Sequence, residues 1–380
     1  MEQKIKQRIA LSIYFFLSGF CFSTWASRIP TIKGVFDLND AQLGNLLLAM
    51  PVSSLIGLPI SGWLVSRFDS RFPLVVSFVF FSIALVAIGM SDNLYILIAA
   101  VCVFAFCMRI LNIAMNTQSL TLQKNFPKKI MGSFHGLWST GGIFGVGFST
   151  LMVKWDMPMR YHLMAVSIFS LILALVAFRY VITKDRSTQG NTLKLGKPDK
   201  FILYLGLMVF FAAVCEGGMF DWSGVYFKEI VHEELFTLGY LIFMIFMALS
   251  RFFSDRVIER IGMQRTYFLS AAMISLGILT VIAFPYFWPA IIGFSVVGLG
   301  VAAIIPMTFT LAGTSLKYSA GMAISIIATY GIVGMLLGPP IIGYLAHLFN
   351  LKVSFILFMF SGLMLIPVSQ LFFKYQRKTQ

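Results

Sequence analysis

Residues 72–90 read FPLVVSFVFFSIALVAIGM, an apolar run without one charged side chain. A helix rises about 1.5 Å per residue, so a run of this length crosses a hydrocarbon layer ~30 Å thick. No water is available there to bond the peptide groups, and a helix satisfies them within the segment. Runs of the same kind occupy 8–30, 41–65, 94–122, 131–153, 160–181, 201–227, 236–253, 266–283, 286–312, 319–347 and 352–373. None shows the period-two alternation of a membrane barrel strand. The expected fold is therefore an all-α membrane protein with twelve transmembrane helices.

Composition agrees with this. The chain of 380 residues is 58% hydrophobic and 12% charged, with a mean hydropathy of +0.87. A soluble chain of that length carries far more charge. The opening MEQKIKQRIALSIYFFLSGF has the basic start and apolar run of a leader peptide, but no small-x-small cleavage site follows, so it reads as the first span. The net charge of +14 suits nucleic acid at first sight. Basic residues of membrane proteins gather in cytoplasmic loops, however, and no nucleic-acid partner is expected. Cys21, Cys102, Cys107 and Cys215 lie in apolar runs without metal-ligand or disulfide spacing, and read as packed thiols.

Loops between the spans are short except for the polar stretch from Thr183 to Lys200, which reads as a linker between an N-terminal half, 1–182, and a C-terminal half, 201–380. Of the 29 lysines and arginines, 22 fall on the side of the two termini and the linker. Six fall on the other side (Arg28, Lys33, Lys154, Arg160, Lys228 and Lys352), and Arg109 lies inside a span. The imbalance predicts a multi-pass protein of a bacterial inner membrane, in contact with lipid, with both termini cytoplasmic.

The halves repeat. Gly62-x3-Ser66-Arg67-x-Asp69-Ser70-Arg71 follows the second span, and Asp255-x3-Glu259-Arg260-x-Gly262-Met263-Gln264-Arg265 follows the eighth. A shift of 193 residues lays Arg67 on Arg260, and also Gly141 on Gly334 and Gly145 on Gly338. Parallel six-helix repeats are the plan of major facilitator transporters. The two Gly-x3-Gly pairs read as points of close helix contact, and Pro339-Pro340 as a kink in the eleventh span.

The loops resemble the major facilitator signature G-x3-[DE]-[RK]-x-G-x-[RK]-[RK]. The second copy keeps Glu259, Arg260, Gly262 and Arg265, whereas the first has Ser66, Asp69 and Phe72 at three signature positions. The resemblance gives Arg67, Arg71, Asp255, Glu259 and Arg260 a role at the cytoplasmic gate. Five further runs, WASRIPTIK from Trp25, LNIAMNTQ from Leu111, SFHGLWSTGGIFG from Ser133, EGGMFDWSGVYF from Glu216 and GMLLGPPIIG from Gly334, look like the YbjJ-type bacterial permeases, a group similar to the fucose permease branch. That resemblance implies a central cavity lined by spans 1, 4, 7 and 10. Asn112 departs from it, standing where an acidic residue is expected.

Charge inside a span costs at least ~2.5–3.5 kcal/mol, so it is kept for a pathway or a partner. Arg109 sits deep in the fourth span, with Asn112 and Asn116 on the same face at i+3 and i+7. This face reads as a substrate or counter-ion site, or else as half of a structural ion pair. Glu216, at similar depth in the seventh span, reads as the proton-coupling group or as a fixed partner of Arg109. Burial favours the neutral form of a carboxyl and a cation the ionised one, so a carboxyl held between the two can exchange a proton. Asp221 lies about 140° further round the helix and takes a separate role. Near the outer ends of their spans, Arg28 and Asp221 are expected to pair as a gate. His135, near Trp138 and Ser139, is a candidate proton relay or a packing residue. Trp25, Trp138 and Trp222 are candidates for stacking on a sugar-like ring, or interface anchors.

The sequence is thus read as a secondary active transporter of a small polar solute working by alternating access with protons, expected to be a monomer. An exporter of the same fold, a membrane-embedded enzyme and a non-transporting sensor remain alternatives. An enzyme would show a catalytic cluster at one depth, and a sensor an added soluble domain. No nucleotide-binding G-x4-G-K-[ST] loop and no metal constellation occur in the sequence, so no cofactor is expected. For topology, an impermeant thiol reagent added to intact spheroplasts should label Asp92→Cys and not Thr188→Cys, in a chain freed of its native cysteines. The reverse pattern overturns the orientation.

Overall fold

The computed structural model describes residues 2–126, 130–183, 199–318 and 320–379. Among the described residues all regular secondary structure is helical. Twelve stretches are long and apolar enough to cross a membrane, from Gln3–Val35 to Leu351–Lys378. The twelve-helix, all-α fold expected from the apolar runs is the one adopted. Residues 184–198 of the linker, Lys128 and Lys129, and the side chains of Ser66 and Asp255 lie outside the described set.

The chain forms two compact units, Met1–Phe36 with Ala49–Leu193, and Asp37–Leu48 with Lys194–Gln380. The first contains α1 (Gln3–Ser27), α2 (Ile29–Val35), most of α3 (Asp40–Arg67), α4 (Arg71–Met90), α5 (Leu94–Gln123), α6 (Met131–Lys154) and α7 (Met159–Phe178). The second contains α8 (Lys200–Glu229), α9 (Thr237–Ile261), α10 (Met263–Ala283), α11 (Phe287–Val301), α12 (Ile304–Ala312), α13 (Ala320–Leu348), α14 (Leu351–Ser354) and α15 (Ile356–Thr379). The first turns of α3 belong to the second unit, where Gly44 packs on Pro340 and Gly343 of α13.

Two spans that read as continuous are interrupted. The first breaks at Arg28, between α1 and α2, and the tenth at Ala302 and Ala303, between α11 and α12. A proline explains each break. Pro30 and Pro306 lack the N–H that would bond the carbonyl four residues earlier, and their rings crowd that carbonyl. The Arg28 N–H closes a tighter turn on the Trp25 carbonyl at 2.9 Å, and the Ser250 hydroxyl donates to the Leu299 carbonyl at 2.9 Å. The prolines at 339 and 340 lie inside α13, which runs unbroken past them.

The Gly-x3-Gly pairs do bring helices together. A Cβ on Gly141 of α6 would collide with the Phe16 carbonyl of α1, and one on Gly145 would stand 2.5 Å from the Phe20 carbonyl. The second unit repeats this seam: a Cβ on Gly334 of α13 would lie 2.5 Å from the Phe210 carbonyl of α8, with Gly338 looser at 3.5 Å from that of Val214. The duplication read in the sequence thus recurs as the same contact between equivalent helices. A side chain forced into such a seam costs about 1–3 kcal/mol. Gly141→Ala should therefore lower the thermal unfolding midpoint of the purified chain. Gly147→Ala, on the same helix with nothing within 4 Å of its added carbon, should leave it unchanged or raise it.

Candidate functional site

Charged side chains inside the apolar stretches mark the candidate site, because each must find a partner or line a wet space. In the second unit Glu216, near the middle of α8, is 8% exposed. Its Oε1 accepts from Arg251 Nη2 of α9 at 3.2 Å. The same nitrogen lies 3.8 Å from Met247 Sδ. The partner of Glu216 is thus a residue that the basic-residue count had assigned to the cytoplasmic side. Arg251 falls within the apolar stretch Thr237–Ser254, and the run through Phe252 and Phe253 was the signal that it lay inside the span.

Asp221 takes a separate face, as its spacing from Glu216 requires. Gly217 and Gly218 do not interrupt α8; they admit Met335 of α13 and the Phe358 ring of α15. Four residues after Gly217, Asp221 points to the side of the helix that meets α13. It makes no hydrogen bond or ion pair among the described residues. Trp222 beside it is fully buried, and its Nε1 has no hydrogen-bond partner among the described residues.

In the first unit Arg109, near the middle of α5, is half-buried. Its Nε donates to Ser54 Oγ of α3 at 3.1 Å. Close approach at Gly57, whose added Cβ would stand 3.3 Å from Arg109 Cβ, sets the stem of the arginine against α3. Further along the same face, Asn116 Nδ2 donates to the Asn112 carbonyl at 2.9 Å and to Asn112 Oδ1 at 3.0 Å. The expected polar face of one cation and two amides is therefore assembled, and Ser54 joins it from another helix.

Arg28, at the break between α1 and α2, is 4% exposed. Its Nε donates to His162 Nδ1 of α7 at 3.1 Å and its Nη2 to the Met157 carbonyl at 2.9 Å. With Nδ1 accepting, the imidazole proton sits on Nε2, which is buried without a partner among the described residues. His162 was not singled out in the sequence: a lone histidine in an apolar run carries no signal of what meets it.

The aromatic and gate candidates are more dispersed. Trp25 is fully buried, its Nε1 donating to Met50 Sδ at 3.2 Å, whereas Trp138 is half-buried beside Phe22. Of the three tryptophans only Trp138 keeps an accessible ring. His135 is exposed, edge-on to Phe15. Arg71 lies over the Phe178 ring at 4.5 Å, while Arg67, Glu259 and Arg260 are exposed. The adjoining turn is tied by Gln118, which donates to Ser70 Oγ at 2.8 Å and to the Ile182 carbonyl at 3.0 Å.

Comparison with known proteins adds the lineage. A model of the Major Facilitator Superfamily matches residues 11–331 and, separately, 242–380. An uncharacterized MFS-type transporter of Yersinia pestis is 30% identical over 357 residues, 93% of this chain and 93% of its own. Membrane protein MosC of Rhizobium meliloti is 29% identical over 377 residues, 98% of this chain and 91% of its own. Among solved structures, the nucleoside transporter NupG superposes with a TM-score of 0.77 at 14% identity, over 99% of this chain and all of that one. A bacterial homolog of the human lysosomal transporter Spinster, inward-facing and unoccupied, gives 0.75 at 15% identity over 98% of each chain. At these identities the structural likeness is one of fold.

Proposed function

We propose that this chain, which belongs to the Major Facilitator Superfamily and is a membrane transporter of that type, couples the movement of a small polar solute to protons by alternating access. The narrower kinship with the YbjJ-type permeases and the fucose permease branch rests on the five motifs quoted above. The inner-membrane location and the cytoplasmic termini rest on the basic-residue count, and a monomer is the reading retained.

The observation that carries the coupling is the Glu216–Arg251 pair inside the apolar layer. A proton taken up at the carboxylate would remove the charge that holds the cation. Protonation of Glu216 breaks its pair with Arg251, and loss of the proton restores the pair. A solute whose binding biases one of these two forms moves the proton with it, because a ligand shifts an equilibrium by its differential affinity for the two states. Arg109, Asn112 and Asn116 are the proposed solute-binding face, with Trp138 as the aromatic candidate and His135 as a candidate relay. The gating roles of Arg67, Arg71, Asp255, Glu259 and Arg260 follow from the loop signature. Arg28 and Asp221 remain the proposed outer gate, and Arg28 would have to exchange its bonds to His162 and Met157 for the aspartate.

Glu216→Gln keeps the shape and hydrogen bonding of the carboxyl without its charge. In proteoliposomes that variant should lose accumulation driven by an imposed proton gradient and keep exchange of solute across the membrane. Normal gradient-driven accumulation by the variant removes Glu216 as the proton carrier.

A further inference from the structure

The charges of the two units are not alike. In the second unit the buried carboxylate of Glu216 is answered by the half-buried cation of Arg251. In the first, the acids between α3 and α7 are Asp69, Asp92 and Asp156, all in turns between helices. No membrane-spanning part of that unit therefore offers a counter-charge to Arg109. Its Nε is satisfied by the neutral Ser54 hydroxyl, which leaves the two Nη groups without a partner among the described residues. Arg28, a buried cation of the same unit, donates to two neutral acceptors.

We propose that the solute is an anion, a small hydroxylated organic acid whose carboxylate is gripped by the Arg109 Nη groups and whose hydroxyl bridges Asn112 and Asn116. This rests on the transport reading above and specifies its solute. Three features support it. First, a site that closes around a neutral solute strips water from Arg109 and gives nothing back, whereas a carboxylate supplies the missing charge. Second, the planar guanidinium presents paired donors that match a carboxylate, a geometry a lysine lacks. Third, the amides are already oriented relative to each other. Asn116 spends its Nδ2 on Asn112, so Asn112 retains a free Nδ2 donor and Asn116 a free Oδ1 acceptor. A hydroxyl, which is both donor and acceptor, fits that pair. An anion that travels with the proton of Glu216 also moves no net charge, so the membrane potential does not oppose its uptake.

The test uses matched acids and neutral counterparts on the purified full-length protein: D-gluconate against D-glucitol, D-glycerate against glycerol, and L-lactate against propane-1,2-diol, at equal ionic strength. At least one acid should raise the thermal unfolding midpoint of the wild type while its neutral counterpart does not. Arg109→Gln should weaken the apparent affinity for that acid by about tenfold or more, and Arg109→Lys, which keeps the charge without the fork, by less. Neutral counterparts as effective as the acids, no response to any acid, or a full response in both arginine variants each overturns the proposal. Uptake of the same pairs into proteoliposomes separates this from the transport reading. A protein that carries D-glucitol but not D-gluconate is a transporter of neutral solutes, and the anion assignment falls alone. One that binds D-gluconate through Arg109 and carries neither compound keeps the anion site and loses the transport function.

Discussion

The controlling constraint is that the hydrocarbon layer offers no hydrogen bonds. Backbone groups must be satisfied within helices, and every charge needs a partner or access to water. Where a helix breaks, side chains and tighter turns take over, as the Ser250 hydroxyl does at the Leu299 carbonyl. Two of the charges that enter are matched: Glu216 by Arg251, and Arg28 by His162 and the Met157 carbonyl. Among the described residues Arg109 has one neutral partner and Asp221 has none; Arg109, with two amides along its helix, is the one that draws the proposed solute assignment.

A duplicated scaffold carries an unduplicated set of charges. In both the α1–α6 and α8–α13 seams a pair of glycines four residues apart faces a pair of carbonyls four residues apart, so the two units share this packing. Chemistry has diverged within that common frame. The first unit presents a cation beside two amides on α5, and the second an ion pair between α8 and α9. In the proposed reading, solute binding falls to one unit and proton handling to the other, and neither uses the glycine seam that holds its unit together.

Much of this was legible in the sequence, because span length, glycine spacing and basic-residue bias are local properties. The twelve helices, the close contacts at Gly141, Gly145 and Gly334, and the polar face of Arg109, Asn112 and Asn116 follow from such properties. What was missed depends on tertiary contact or on a weakly marked boundary. Arg251 was counted with the cytoplasmic side although the run 236–253 contains it, and nothing local marks its partner on α8. The partnership of Arg28 with His162 joins residues on separate helices that no periodicity connects. The breaks at Arg28 and at Ala302 and Ala303 did have signals, Pro30 and Pro306. Pro339 and Pro340, inside an unbroken helix, show why a proline alone does not decide the matter.

The central claim is that Glu216 and Arg251 act as one unit in moving protons with solute. The most direct test is a double-mutant cycle on gradient-driven accumulation in proteoliposomes, comparing Glu216→Gln, Arg251→Gln and the double variant with the wild type. Groups that work as a unit are strongly non-additive. The account predicts a double variant no worse than the more damaged single variant. A double variant impaired by the product of the two single effects would show two independent residues and contradict it.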